Sequence, residues 1–116
     1  MDHVYSGVID ARGDAIVHVD GTGPLDPRLD LENKSPTGFA WGYGGSGPSQ
    51  LALALLAHHF QARGEPYADR RALSLFQQFK EHVVVMLPED GSWTLTSEEI
   101  QHAVDAIERG RGAANA

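Results

Sequence analysis

SPTGFAWGYGGSGPSQLALALLAHHF, residues 35–60, decides how the rest of the chain is read. Its first half is a glycine-rich loop carrying Phe39, Trp41 and Tyr43. Its second half is the most apolar helical segment in the chain. Ser46 or Gly47 can cap that helix, and Pro48 suits a first turn, where a missing N–H costs nothing. Every position from 51 to 57 is Leu or Ala. A helix apolar around its whole circumference has to be surrounded by protein, so this one is expected to be the axis of the domain. Gly64 is the expected stop.

Working outward, residues 4–9 and 15–19 read as two strands joined by the turn Ala11-Arg12-Gly13-Asp14, an antiparallel hairpin with Gly7 as a candidate bulge. Ile16 and His18 fall on one face, Val17 and Val19 on the other. The Arg-Gly-Asp triplet is explained by the turn. Residues 20–37 are dense in Gly and Pro and form a structured loop that Leu25, Leu29 and Leu31 pin to the core. C-terminal to the central helix, Asp69 is a candidate N-cap. Ala72, Phe76, Phe79 and Val83 recur at helical spacing. Pro88 closes that element. Residues 92–95 form a short strand with Trp93 and Leu95 on one face. Thr96 and Glu99 make a capping box for a helix over 97–109 whose buried face is Ile100, Val104 and Ile107. The expected fold class is α+β: a small antiparallel sheet of about three strands packed with three helices around the central apolar helix. Residues 1–109 form one domain and 110–116 a flexible C-terminal tail.

The 116 residues carry a net charge of −7, unevenly distributed. Residues 1–32 hold seven acids and two bases, and residues 33–64 hold no acid. An acidic surface disfavours direct binding of phosphate backbones and favours a basic protein partner. The absence of cysteine excludes disulfides and thiolate metal sites and fits a cytoplasmic location. No apolar run is long enough for a membrane helix, so no membrane partner is expected.

The catalytic patterns are incomplete. Gly42 to Gly47 satisfies G-x-G-x-x-G and opens a helix, which allows an anion to sit at the helix N-terminus. However, no βαβ unit surrounds the motif, and Pro48 stands where a P-loop needs lysine. Ser46 lies in an imperfect nucleophile-elbow pattern without its partners. The six histidines show no metal-ligand spacing. We therefore expect no enzyme, no cofactor, no metal and no catalytic residue.

The block 35–56, together with Tyr5-Ser6-Gly7, Gln78-Phe79-Lys80, Val84, Leu87-Pro88 and Trp93-Thr94-Leu95-Thr96, resembles a family of small bacterial and phage proteins whose function is unknown. The resemblance covers most of the chain, implies a phage or mobile-element context and transfers no catalytic residue. Small size, acidity and this context lead to one expectation. The chain is a non-enzymatic binding protein, a counter-defence inhibitor of the anti-CRISPR or anti-restriction type, occluding a basic nucleic-acid-binding surface of a host protein or complex. Its expected contacts are the acidic hairpin (Asp10, Asp14, Asp20), the acidic loop (Asp26, Asp30, Glu32) and the rim of the glycine loop (Trp41, Tyr43). The alternative is a small-ligand or anion module using Gly42–Gly47.

Overall fold

The computed structural model describes residues 3–115. Strands β1 (Val4–Ile9), β2 (Ala15–Val19), β3 (Gly23–Pro24) and β4 (Trp93–Thr96) form one antiparallel sheet in the order β3-β2-β1-β4. Helices α1 (Ser46–Ala62), α2 (Ala68–His82) and α3 (Ser97–Asn115) pack with it, and a 3-10 turn occupies Val84–Met86. The α+β class is as expected, with a fourth strand. That strand is only Gly23–Pro24, paired with Val19 and His18 at the sheet edge. Proline cannot donate to a ladder, so it is tolerated there and gives no strand signal in sequence.

Alternation along the strands sorts the sheet faces. Tyr5, Val17, Val19, Trp93 and Leu95 are buried against the helices, while Val8, His18 and Thr94 face outward. Gly7 is not a bulge: it pairs regularly with Val17 and with Trp93. Its lack of a side chain has another cause, since a Cβ there would overlap the indole of Trp93. On edge strand β4, the Thr96 N–H donates to Glu99 (2.9 Å) and the Glu99 N–H to Thr96 Oγ1 (3.0 Å). This reciprocal capping box starts α3 and also removes one free edge donor.

α1 is the axis of the core. Leu51 through Ala57 have no exposed surface, and each buried leucine contributes about 1.5–3 kcal/mol relative to exposure. The helix starts one residue earlier than expected, on Gly45 in extended conformation and without a side-chain cap. It ends as expected. Gly64 takes φ +71°, its N–H reaches Gln61 O (2.9 Å), and the Glu65 N–H reaches Phe60 O (3.1 Å), a Schellman motif. Neighbours tie to α1 by polar contacts at the core edge. Tyr5 Oη bonds His58 Nδ1 (2.8 Å), His59 Nε2 bonds Gln101 Oε1 (2.7 Å), and Arg71 lies 4.5 Å over the Phe60 ring.

Two helix boundaries differ from expectation. The N-cap of α2 is Tyr67 at φ 62°, not Asp69, whose carboxylate instead binds Arg28. α3 continues past 109 to Asn115, and position 116 lies outside the described residues. Residues 20–37 are a structured loop, as expected, and 26–35 forms a strap; Leu25 is buried and Leu31 packs on the core, but Leu29, expected to pin the loop, is exposed. The strap's main anchor is Gln50 of α1, which is fully buried. Gln50 Oε1 accepts from Lys34 N (2.8 Å) and Ser35 N (3.1 Å), and its Nε2 donates to Pro27 O (2.6 Å) and Glu32 O (3.0 Å).

Candidate functional site

The glycine loop is held from both sides by close backbone approaches. Gly42 has φ +85°, its N–H donates to Val84 O (3.0 Å), and a Cβ there would lie 2.5 Å from Glu89 Cα. Gly47 packs against Ala40, where a Cβ would come within 2.7 Å of the Ala40 Cβ. Only glycine fits these two places. Trp41 is 1 % exposed, donates from Nε1 to Gly91 O (3.2 Å) and meets Trp93 edge-on at 5.4 Å. These contacts bring Glu89 beside the glycine loop although the two are far apart in sequence.

A cleft of about 430 Å³ results, between the β1–β2 hairpin turn and the loop that leads into α1. Asp14, Glu89, Tyr43, Phe39, Thr37 and Ser46 are among its lining, and no Lys, Arg or His is among the described residues that line it. It therefore offers two carboxylates, hydroxyls and aromatic surface. Tyr43, 46 % exposed, stands at the loop. Met86, 77 % exposed, projects from the neighbouring 3-10 turn, where Val85 lies closest to Gly44.

The structure separates the residues that sequence grouped as contacts. Asp14 and Tyr43 meet at the cleft. Asp10 is used locally, its Oδ1 accepting from Arg12 N and Asp14 N (both 2.9 Å) to build the turn. Asp20 lies at the other end of β2, beside an open depression with His18 and Val4. Asp26 accepts from Arg28 N (2.9 Å), Asp30 pairs with Arg28 and Glu32 with Lys34 (both 3.0 Å). Trp41 also borders the cleft, but it is corrected from exposed rim residue to core residue, because its indole is buried against Trp93 and bonded to Gly91 O. Glu89 follows Pro88 in a turn, and no sequence spacing could have linked it to Asp14.

The described span also contains a histidine cluster. His58 stands 5.1 Å from His3 and 5.4 Å from Tyr5, edge to face in both cases. Burial, with His3 and His59 adding to it, holds the His58 pKa below the ordinary 6.5. Burial likewise lowers that of His59, opposed by its bond to Gln101. The lowered pKa values favour the neutral form in the fold, so near pH 6 the unfolded chain binds more protons than the folded one. Their contribution is complete above about pH 6.5 and is lost as pH falls below it. The urea midpoint is accordingly expected to drop between about pH 7.5 and about pH 5.5. A flat or rising midpoint would contradict this.

A family model described as Family of unknown function (DUF6166) matches residues 5–106. The chain belongs to this family. The matched DUF6166 span contains Asp14, Tyr43, Ser46, His58 and Glu89, so the whole cleft lies within the matched residues. No curated protein and no solved structure matches the chain significantly. Among the described residues, no helix is long and apolar enough to cross a membrane, and no group of three or more His, Asp or Glu side chains is placed to hold a metal ion.

Proposed function

We propose that the chain is a non-enzymatic binding protein that docks onto a basic protein surface, of the kind that would otherwise hold nucleic acid, in the cytoplasm. A phage or mobile-element inhibitor of a host defence complex is the specific form of this reading. The observation that carries it is the cleft. The acidic hairpin turn and the glycine loop converge there, with two carboxylates and no cation among the described lining residues. Complementary charge steers such encounters and fixes their register, while aromatic and methionine side chains provide adaptable apolar contact. Tyr43 lines the cleft with the acids in that role, and Met86 is exposed on the neighbouring 3-10 turn. Among the described residues lining the cleft, no histidine or lysine stands beside Ser46 to take its proton, which favours binding over hydrolysis.

Binding to an arginine-rich peptide tests the electrostatics. The Asp14→Lys/Glu89→Lys double variant is expected to bind about tenfold more weakly or worse, and Asp20→Lys, at the far end of the hairpin, nearly as well as the parent. Equal losses in the two would remove the cleft from the account. One observation favours an anion at the same place. The N-terminus of α1 has no side-chain cap and no acid in its first turn. Saturable shifts of the Ser46 and Gly47 amides on phosphate titration would support that second reading, although Asp14 and Glu89 oppose it.

A further inference from the structure

A second pocket, of about 270 Å³, opens between the strap and the C-terminal half of α1. Leu25 and Ala54 give it apolar lining, and Asp26, Arg28, His58 and Gln61 give it polar groups. Its walls are held in place on both sides. Arg28 has φ 55°, a left-handed conformation that a side-chain-bearing residue adopts only when its surroundings impose it. Its guanidinium is clamped, with Nε on Asp30 Oδ1 (3.0 Å) and Nη2 on Asp69 Oδ2 (2.9 Å). Gln50 fixes the strap behind it.

On the opposite wall, Tyr5 is fully buried and burial raises its pKa, so the phenol keeps its proton. His58 Nδ1 is the partner of that hydroxyl at 2.8 Å. We assign the hydroxyl as the donor to Nδ1, the tautomer that places the imidazole proton on Nε2. A neutral histidine oriented by a buried second residue is the usual form of a binding imidazole.

The charges select the ligand. Asp26 lines the pocket, and the Arg28 guanidinium is already paired with Asp30 and Asp69, which disfavours a bare anion. The His58 Nε2–H and the exposed Gln61 amide have no protein acceptor among the described residues, and Asp26, with one oxygen on Arg28 N, has its second oxygen available to a donor. We propose that this pocket binds a small zwitterion carrying both an ammonium and a carboxylate, about the size of a free amino acid. The ammonium faces Asp26, and the carboxylate takes the donors of His58 and Gln61. The site is separate from the acidic cleft and stands or falls independently of it.

The test is an amide-resolved NMR titration of the full chain with each common amino acid, using phosphate, acetate and putrescine as singly functional probes. At least one amino acid is expected to give saturable shifts confined to residues 25–28 and 54–61. Asp26→Asn, which retains the turn acceptor, and Gln61→Ala, at an exposed position, are each expected to weaken it about tenfold. The proposal is overturned by saturable shifts from none of the amino acids, by tighter binding of any singly functional probe, or by undiminished binding in both variants.

Discussion

Replacing Gln50 with leucine is expected to lower stability by about 3–5 kcal/mol, a Tm drop on the order of 15 °C. The side chain is buried in the most apolar helix of the chain, and its amide completes four hydrogen bonds to the strap backbone. Leucine fills the volume but leaves two carbonyls and two N–H groups without partners, and an unmet buried group costs about 1–3 kcal/mol. Gln50→Glu separates the polar from the steric effect. It keeps both acceptor contacts but sets an oxygen against Pro27 O and Glu32 O, and it buries a charge. Both variants are expected to lose hydrogen-exchange protection at the Lys34 and Ser35 amides. Protection retained in Gln50→Leu would show that the strap is held by Leu25 and Leu31 instead.

The second large effect is one of sign. In the parent, Gly7→Ala is expected to cost about 2–3 kcal/mol, because the new methyl enters the space of the Trp93 indole. In a Trp93→Leu background the obstacle is gone, and alanine in a strand is better than glycine by about 0.5–1 kcal/mol. The same substitution should then be neutral or stabilising. Urea unfolding of the four proteins measures the coupling directly. A cost of Gly7→Ala that is the same in both backgrounds would mean that backbone conformation, not Trp93, requires the glycine.

These two residues also show where sequence reading works and where it stops. The all-apolar run 51–57, the hairpin, the helical spacing of Ala72, Phe76 and Phe79, and the Thr96–Glu99 capping box are local patterns, and each appears in the fold as read. Gln50 and Gly7 obey no local pattern. Their roles depend on partners that are remote in sequence: the strap carbonyls for one, Trp93 for the other. The same holds for function. Asp14 and Tyr43 could be picked out singly, as acid and aromatic. Their meeting with Glu89 depends on Gly42 lying flat against that residue, which is a tertiary fact. Trp41 was misplaced for a related reason. An aromatic in a glycine-rich loop reads as exposed, and only its edge-on contact with Trp93 and its bond to Gly91 O show it to be core. The pocket beside His58 was not legible, since neither Tyr5 nor the strap adjoins that residue in sequence.

We propose that the face formed by the cleft and Tyr43 meets a basic surface used for nucleic acid. A photo-crosslinking phenylalanine analogue at position 43 tests it in the host cell, with the same analogue at the exposed Tyr67, a residue outside the cleft lining, as control. The account expects position 43, and not position 67, to capture one protein through peptides of its nucleic-acid-binding surface, with capture falling as salt rises. Capture that is equal from both positions, or that maps to an acidic or apolar surface with no dependence on salt, would contradict it.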